Sequence, residues 1–215
     1  MNNWLSRLLT SSASSEPLSE QARQTLAQWA ALPDADLGRA HFETRYVVIN
    51  TEASGLDLDK DRVLAVSAVG VDGGIVAPQD SYYAVLGEQP VSALTGLLQA
   101  AGKAPLVVFN SAFNRTMLER ALEEHLGLNA DWLWIDLYFV LPALFPERIE
   151  RPARLADWMS SFGIETFQRH HALGDGWAIA QLFLAAQARA LAQSALSPRG
   201  LAELERSYRQ YRRKV

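Results

Sequence analysis

The sequence predicts an α/β domain built on a mixed sheet, and three observations predict it. Strand-like apolar runs at 46–50 and 62–71 are followed by a third toward Leu86, with Asp72-Gly73-Gly74 as a hairpin turn between the second and third. Beyond residue 90 helical and strand patterns alternate strictly. No internal repeat interrupts the order. An antiparallel meander leading into β-α-β units implies one sheet with helices on its faces.

The elements follow in chain order. Residues 1–15 are rich in Ser and Asn and are expected to be loose, whereas PLSEQARQTLAQWAAL sets Leu18, Ala22, Leu26 and Trp29 on one helical stripe. After the meander come a helix near 92–101, a strand LVVF at 106–109, a helix from about 112 to 126, a short strand at 133–136, and helices near 153–162 and 172–191. The chain therefore divides into an N-terminal extension with one helix (1–44), a main domain (45–192) and a basic C-terminal helix (193–215).

Composition narrows the classes. With 215 residues, 49% hydrophobic, 20% charged and a net charge of -4, the chain fits one soluble globular domain with a full-sized core. No apolar run reaches the ~18 residues that span a bilayer, so no membrane partner is expected. MNNWLSRLLTSSASS lacks the basic start and sustained apolar stretch of a secretory signal, and the chain reads as cytoplasmic. With no cysteine, disulfides, thiolate nucleophiles and Cys-based zinc sites are excluded, and any metal must be held by oxygen or imidazole.

In the tail GLAELERSYRQYRRKV, Leu201, Leu204, Tyr208 and Tyr211 form an apolar stripe, while Arg206, Arg209, Arg212, Arg213 and Lys214 crowd the last turns. The favoured reading is a docked helix whose basic end complements its dipole. The alternative is a phosphate-binding arm.

Three segments place polar residues where apolar structure ends: Asn50-Thr51-Glu52, Asn110 with Asn114 in FNSAFNRTMLERAL, and His170 with Asp175 in RHHALGDGWAIAQLFL. Period-two geometry puts Asn50 and Glu52 on the same face of their strand. Singly, each residue has an ordinary structural explanation as a turn residue, a helix cap or a first-turn acid.

In order and content, however, the segments resemble the three motifs of the DEDDh family of 3′-5′ exonucleases. Asn50-Thr51-Glu52-Ala53-Ser54-Gly55-Leu56 stands where that family has D-x-E-[TS]-[TS]-G-L. Phe109-Asn110-Ser111-Ala112-Phe113-Asn114 stands for H-N-A-x-F-D, and His170 through Asp175, followed by Gly176, for H-x-x-x-x-D-A. The resemblance covers roughly residues 45–190 and implies a ribonuclease H-like mixed five-stranded sheet. It also implies a site in which four carboxylates hold two Mg²⁺ or Mn²⁺ ions and a histidine takes a proton from water. Carried over residue by residue, Glu52 and Asp175 keep their acids and His170 keeps the base, whereas Asn50 and Asn114 replace two metal-binding aspartates.

An amide carbonyl supplies a ligand oxygen without its charge. A unit-charge pair at 4 Å is worth ~4 kcal/mol at an effective dielectric near 20, and a millimolar affinity totals about 4 kcal/mol. Losing two charges is thus comparable to losing the metal, and at most one weakly held ion is expected, near Glu52 and Asp175. Nearby, Asp57, Asp59, Asp61 and Asp136 are spare acids in sequence. For a single-stranded nucleic acid or nucleotide 3′ end, the resemblance implies Gly55 and Leu56 as the wall behind the terminal base, with Ser54 and Asn110 as polar contacts. Three functions follow: an exonuclease-family protein that is inactive or strongly impaired, an active metal-dependent exonuclease on DNA or RNA, and a non-catalytic module binding a protein partner through the N-terminal helix or the basic tail.

Overall fold

The structure, a computed structural model, describes residues 18–213. The expectations for residues 1–15 and for Lys214 lie outside the described residues. Five strands form one sheet in the order β3-β2-β1-β4-β5. Strands β1 (Tyr46–Ala53), β2 (Val63–Asp72) and β3 (Ile75–Val85) make the antiparallel meander, while β4 (Leu106–Val108) and β5 (Trp134–Asp136) run parallel to β1. The helices are α1 (Glu20–Ala31), α2 (Pro90–Ala101), α3 (Ser111–Leu126), α4 (Leu137–Leu144), α5 (Leu155–Phe162), α6 (Ala172–Ala192) and α7 (Pro198–Arg212). The mixed sheet with flanking helices expected from the sequence is the one observed.

The centre of the sheet explains the run YVVI. Its β-branched residues suit a strand buried on both faces. Val47 and Ile49 pack with Leu94, Leu98, Leu118 and Leu122 of α2 and α3, whereas Tyr46 and Val48 pack with Ile179 and Phe183 of α6. The alternation continues past the apolar run. β1 extends to Ala53, three residues beyond the expected end, because pairing with β2 persists through Asn50↔Ser67 and Glu52↔Ala65 before an irregularity at Glu52/Ala53.

The extension is packed into the fold. Leu26 and Trp29 of α1 join the core of the α2/α3 face, and the Gly102 carbonyl accepts the indole N–H groups of Trp29 at 2.8 Å and Trp132 at 3.0 Å. Buried His41 bonds the Tyr46 hydroxyl through Nδ1 at 2.6 Å and the Ala195 carbonyl through Nε2 at 2.7 Å, tying the segment before β1 to the turn after α6.

One helix escaped sequence reading. α4 follows β5 without a linker and contains Pro142, which removes one intrahelical bond from an eight-residue helix. Asp136 starts it, its carboxylate accepting the Tyr138 N–H at 3.0 Å. The tail is a docked helix: Leu201 is fully buried and α7 packs on α4 and β5.

Candidate functional site

The three polar segments are joined by hydrogen bonds at the carboxyl ends of β1 and β4 and the amino end of α6. Because side chains alternate along β1, Asn50 and Glu52 share the face that carries α6, and Thr51 points toward α3. The Asn50 Nδ2 donates to the Ala172 carbonyl at 3.3 Å, and the Ser67 hydroxyl donates to the same oxygen at 2.8 Å. On the other face, Asn114 Oδ1 accepts both the N–H and the hydroxyl of Thr51, each at 2.9 Å. Its Nδ2 donates to the carbonyls of Phe109 at 2.9 Å and Asn110 at 3.3 Å. Asn114 is 5% exposed, so all of its bonding capacity is spent inside the protein.

Asp175, in the first turn of α6, is also occupied. Arg169 Nη1 donates to its Oδ1 at 2.5 Å. Burial pushes the Asp175 carboxyl above its ordinary value against the opposing pull of Arg169. His170 itself is exposed and holds a left-handed backbone, φ 56°. Glu52 differs from the rest. Its Oε1 is buried without a hydrogen-bond partner.

The nucleic-acid candidates are arranged by a side chain the sequence did not rank. The Asp61 carboxylate accepts the Ser54 hydroxyl and the Asp57 N–H, each at 2.8 Å, and a Cβ at Gly55 would overlap it. Gly55 therefore lets the loop close, and Leu56 beside it is 87% exposed. Asn110 is exposed and left-handed, φ 69°. Its N–H and that of Ser111 are fixed by Asp136 at 2.9 and 2.8 Å. Asp136 is 2% exposed, and α7 completes its surroundings: Glu205 accepts the Asp136 N–H at 2.8 Å, and Arg209 bridges Asp136, Glu205 and the Ser111 hydroxyl. The signal for Asp136 in the sequence was an acid directly before an apolar helical run. Arg169 had only its adjacency to His170.

A pair of divalent cations requires several anionic oxygens free to turn toward it. Here the Asn114 oxygen faces Thr51, Asn50 donates to a carbonyl, Asp175 gives one oxygen to a guanidinium, and Glu52 Oε1 is buried without a hydrogen-bond partner. Among the described residues no group of three or more His, Asp or Glu side chains is placed to hold a metal ion. The side chains as arranged do not fit a two-cation centre.

No family profile and no curated protein matches the chain. Solved structures do. Exonuclease I superposes with a TM-score of 0.50 at 18% identity, over 74% of this chain and 42% of its own. Cell-death related nuclease 4 (CRN-4) gives 0.50 at 11% identity, over 68% of this chain and 65% of its own. The chain has the ribonuclease H-like exonuclease fold. A zinc-bound form of the E. coli exonuclease I complex with single-stranded DNA matches this fold at a TM-score of 0.49, with 19% identity over 68% of this chain and 41% of that one. The chain spans about two fifths of the length of exonuclease I. None of its described helices is long and apolar enough to cross a membrane.

Proposed function

We propose that the chain is a 3′-5′ exonuclease-type protein that binds single-stranded nucleic acid 3′ ends and has weak or no hydrolytic activity. The observation that carries this reading is the Arg169–Asp175 pair, which places a fixed cation on one of the two retained motif carboxylates. The amides support it. Asn114 spends its polar atoms on Thr51, Phe109 and Asn110, and Asn50 donates its Nδ2 to the Ala172 carbonyl. The exonuclease fold supports nucleic acid as the substrate class.

The test is a 5′-labelled single-stranded oligonucleotide followed in Mg²⁺ and in Mn²⁺. The expected result is binding without shortening. Stepwise shortening from the 3′ end that disappears in Glu52→Gln would overturn the inactive assignment. A second reading, hydrolysis supported by one ion, is favoured by the unpartnered Glu52 Oε1, which a cation would satisfy. That shortening would put it first.

A further inference from the structure

Three aromatic rings form a ledge at the amino end of α6. Tyr83 on β3 stands opposite Ser67 on β2, whose hydroxyl bonds Ala172 at the start of that helix. The His171 ring stacks on Tyr83 with centroids 4.7 Å apart and planes at 28°, and Phe167 tilts against His171 at 6.1 Å. Both outer rings keep exposed surface: Tyr83 is 37% and Phe167 70% exposed. Exposed apolar residues scattered singly need no explanation. Here three rings adjoin one another and flank Arg169.

The ledge is held in place from beneath. His171 caps α6, its Nδ1 accepting the Gly174 N–H at 3.4 Å. The loop backbone lies against the first turn of α6 so closely that a Cβ at Gly174 would run into the Gln168 carbonyl. Asp175 then fixes Arg169, whose side chain keeps 35% exposure. Adjoining rings with a one-third-exposed arginine side chain in the same loop suit a planar, anionic, unpaired nucleotide, because every base offers a π-face and its phosphate a negative charge.

We propose that Tyr83, Phe167 and His171 form a stacking subsite for an unpaired nucleobase of a single strand, with Arg169 at its edge, and that it works without a divalent cation. The proposal rests on the single-strand reading given above and is independent of hydrolysis.

The full chain is titrated in EDTA with a labelled oligonucleotide carrying 2-aminopurine near its 3′ end, and anisotropy and 2-aminopurine quenching are both read. Wild type binds and quenches. Phe167→Ala weakens binding by about 5- to 140-fold, the range for losing one base–aromatic stack, and relieves quenching. Phe167→Leu, which keeps apolar surface without a π-face, does the same, Phe167→Trp restores both, and Tyr83→Phe changes neither. Equal binding and quenching by wild type, Phe167→Ala and Phe167→Leu overturns the ledge while leaving the single-strand reading intact. Absence of binding by the folded wild type overturns both. A dimer that Phe167→Ala converts to monomer assigns the ledge to a second copy of the chain and likewise overturns the proposal.

Discussion

The backbone N–H of Thr51 and the side-chain oxygen of Asn114 meet at 2.9 Å across 63 residues of sequence, and the two hydrogens of that amide go to the carbonyls of Phe109 and Asn110. The amide is thus an adapter between β1 and the start of α3, using an acceptor on one side and donors on the other. A carboxylate has no donor to offer. Asn114→Asp alone should cost about 1–3 kcal/mol, the scale for setting a buried acceptor against unpaired carbonyls, in denaturant unfolding at neutral pH. An unchanged midpoint would show that the turn rearranges freely.

Arg169 should compete with cations for Asp175. In Arg169→Gln, Mn²⁺ binding measured by calorimetry should tighten by at least about tenfold, or 1.4 kcal/mol, whereas Arg169→Lys, which keeps the charge, should not gain. Equal isotherms for all three proteins would refute the competition.

Restoring acids is then insufficient by itself. Asn50→Asp with Asn114→Asp should remain poorly active until Arg169→Gln is added, since both sides of a phosphodiester displacement must be clamped. The gain should be far from additive. Adding His170→Ala should remove about 10²- to 10⁴-fold of it, the usual contribution of a general base. Shortening of a labelled strand reports each step.

His41 makes stability depend on pH. Burial lowers its pKa, and its contacts suit the neutral ring, with Nε2–H donating to Ala195 and Nδ1 accepting from Tyr46. The unfolded chain therefore binds the proton more readily, so stability should be level above about pH 6.5, the ordinary histidine value, and fall as pH drops below it. Unfolding midpoints between pH 7.5 and 5 measure the slope. His41→Gln should flatten that slope while lowering stability throughout.

Removing Arg209 leaves Asp136 and Glu205 facing each other in a buried site without a countercharge. Arg209→Ala should destabilise by about 2 kcal/mol, below the ~3–5 of a fully buried pair because a third of the Arg209 side chain is exposed. Hydrogen exchange should also rise at the Asn110 and Ser111 amides, which Asp136 holds.

Legibility followed periodicity. Strands β1 to β5 and helices α1, α2, α3, α5 and α6 announced themselves through apolar spacing and turn residues. α4 did not, because Pro142 breaks a run otherwise too apolar to show a face. At the candidate site, the motif resemblance singled out Asn50, Glu52, Asn114 and Asp175, but spacing carries no information on where a polar atom is spent. That Asn114 turns its oxygen to Thr51, that Arg169 folds back on Asp175 and that Asp136 organises the 110–111 turn are long-range matters, decided by which groups burial leaves in need of partners.

The bond from the Asp136 N–H to Glu205 joins residues 69 positions apart. During synthesis the end of β5 leaves the ribosome well before the helix that receives its amide, so the nascent chain carries an unfinished rim around the 110–111 turn until α7 arrives. A chain interrupted before Glu205 leaves the Asp136 N–H without its acceptor and the Asp136 carboxylate without the Arg209 cation.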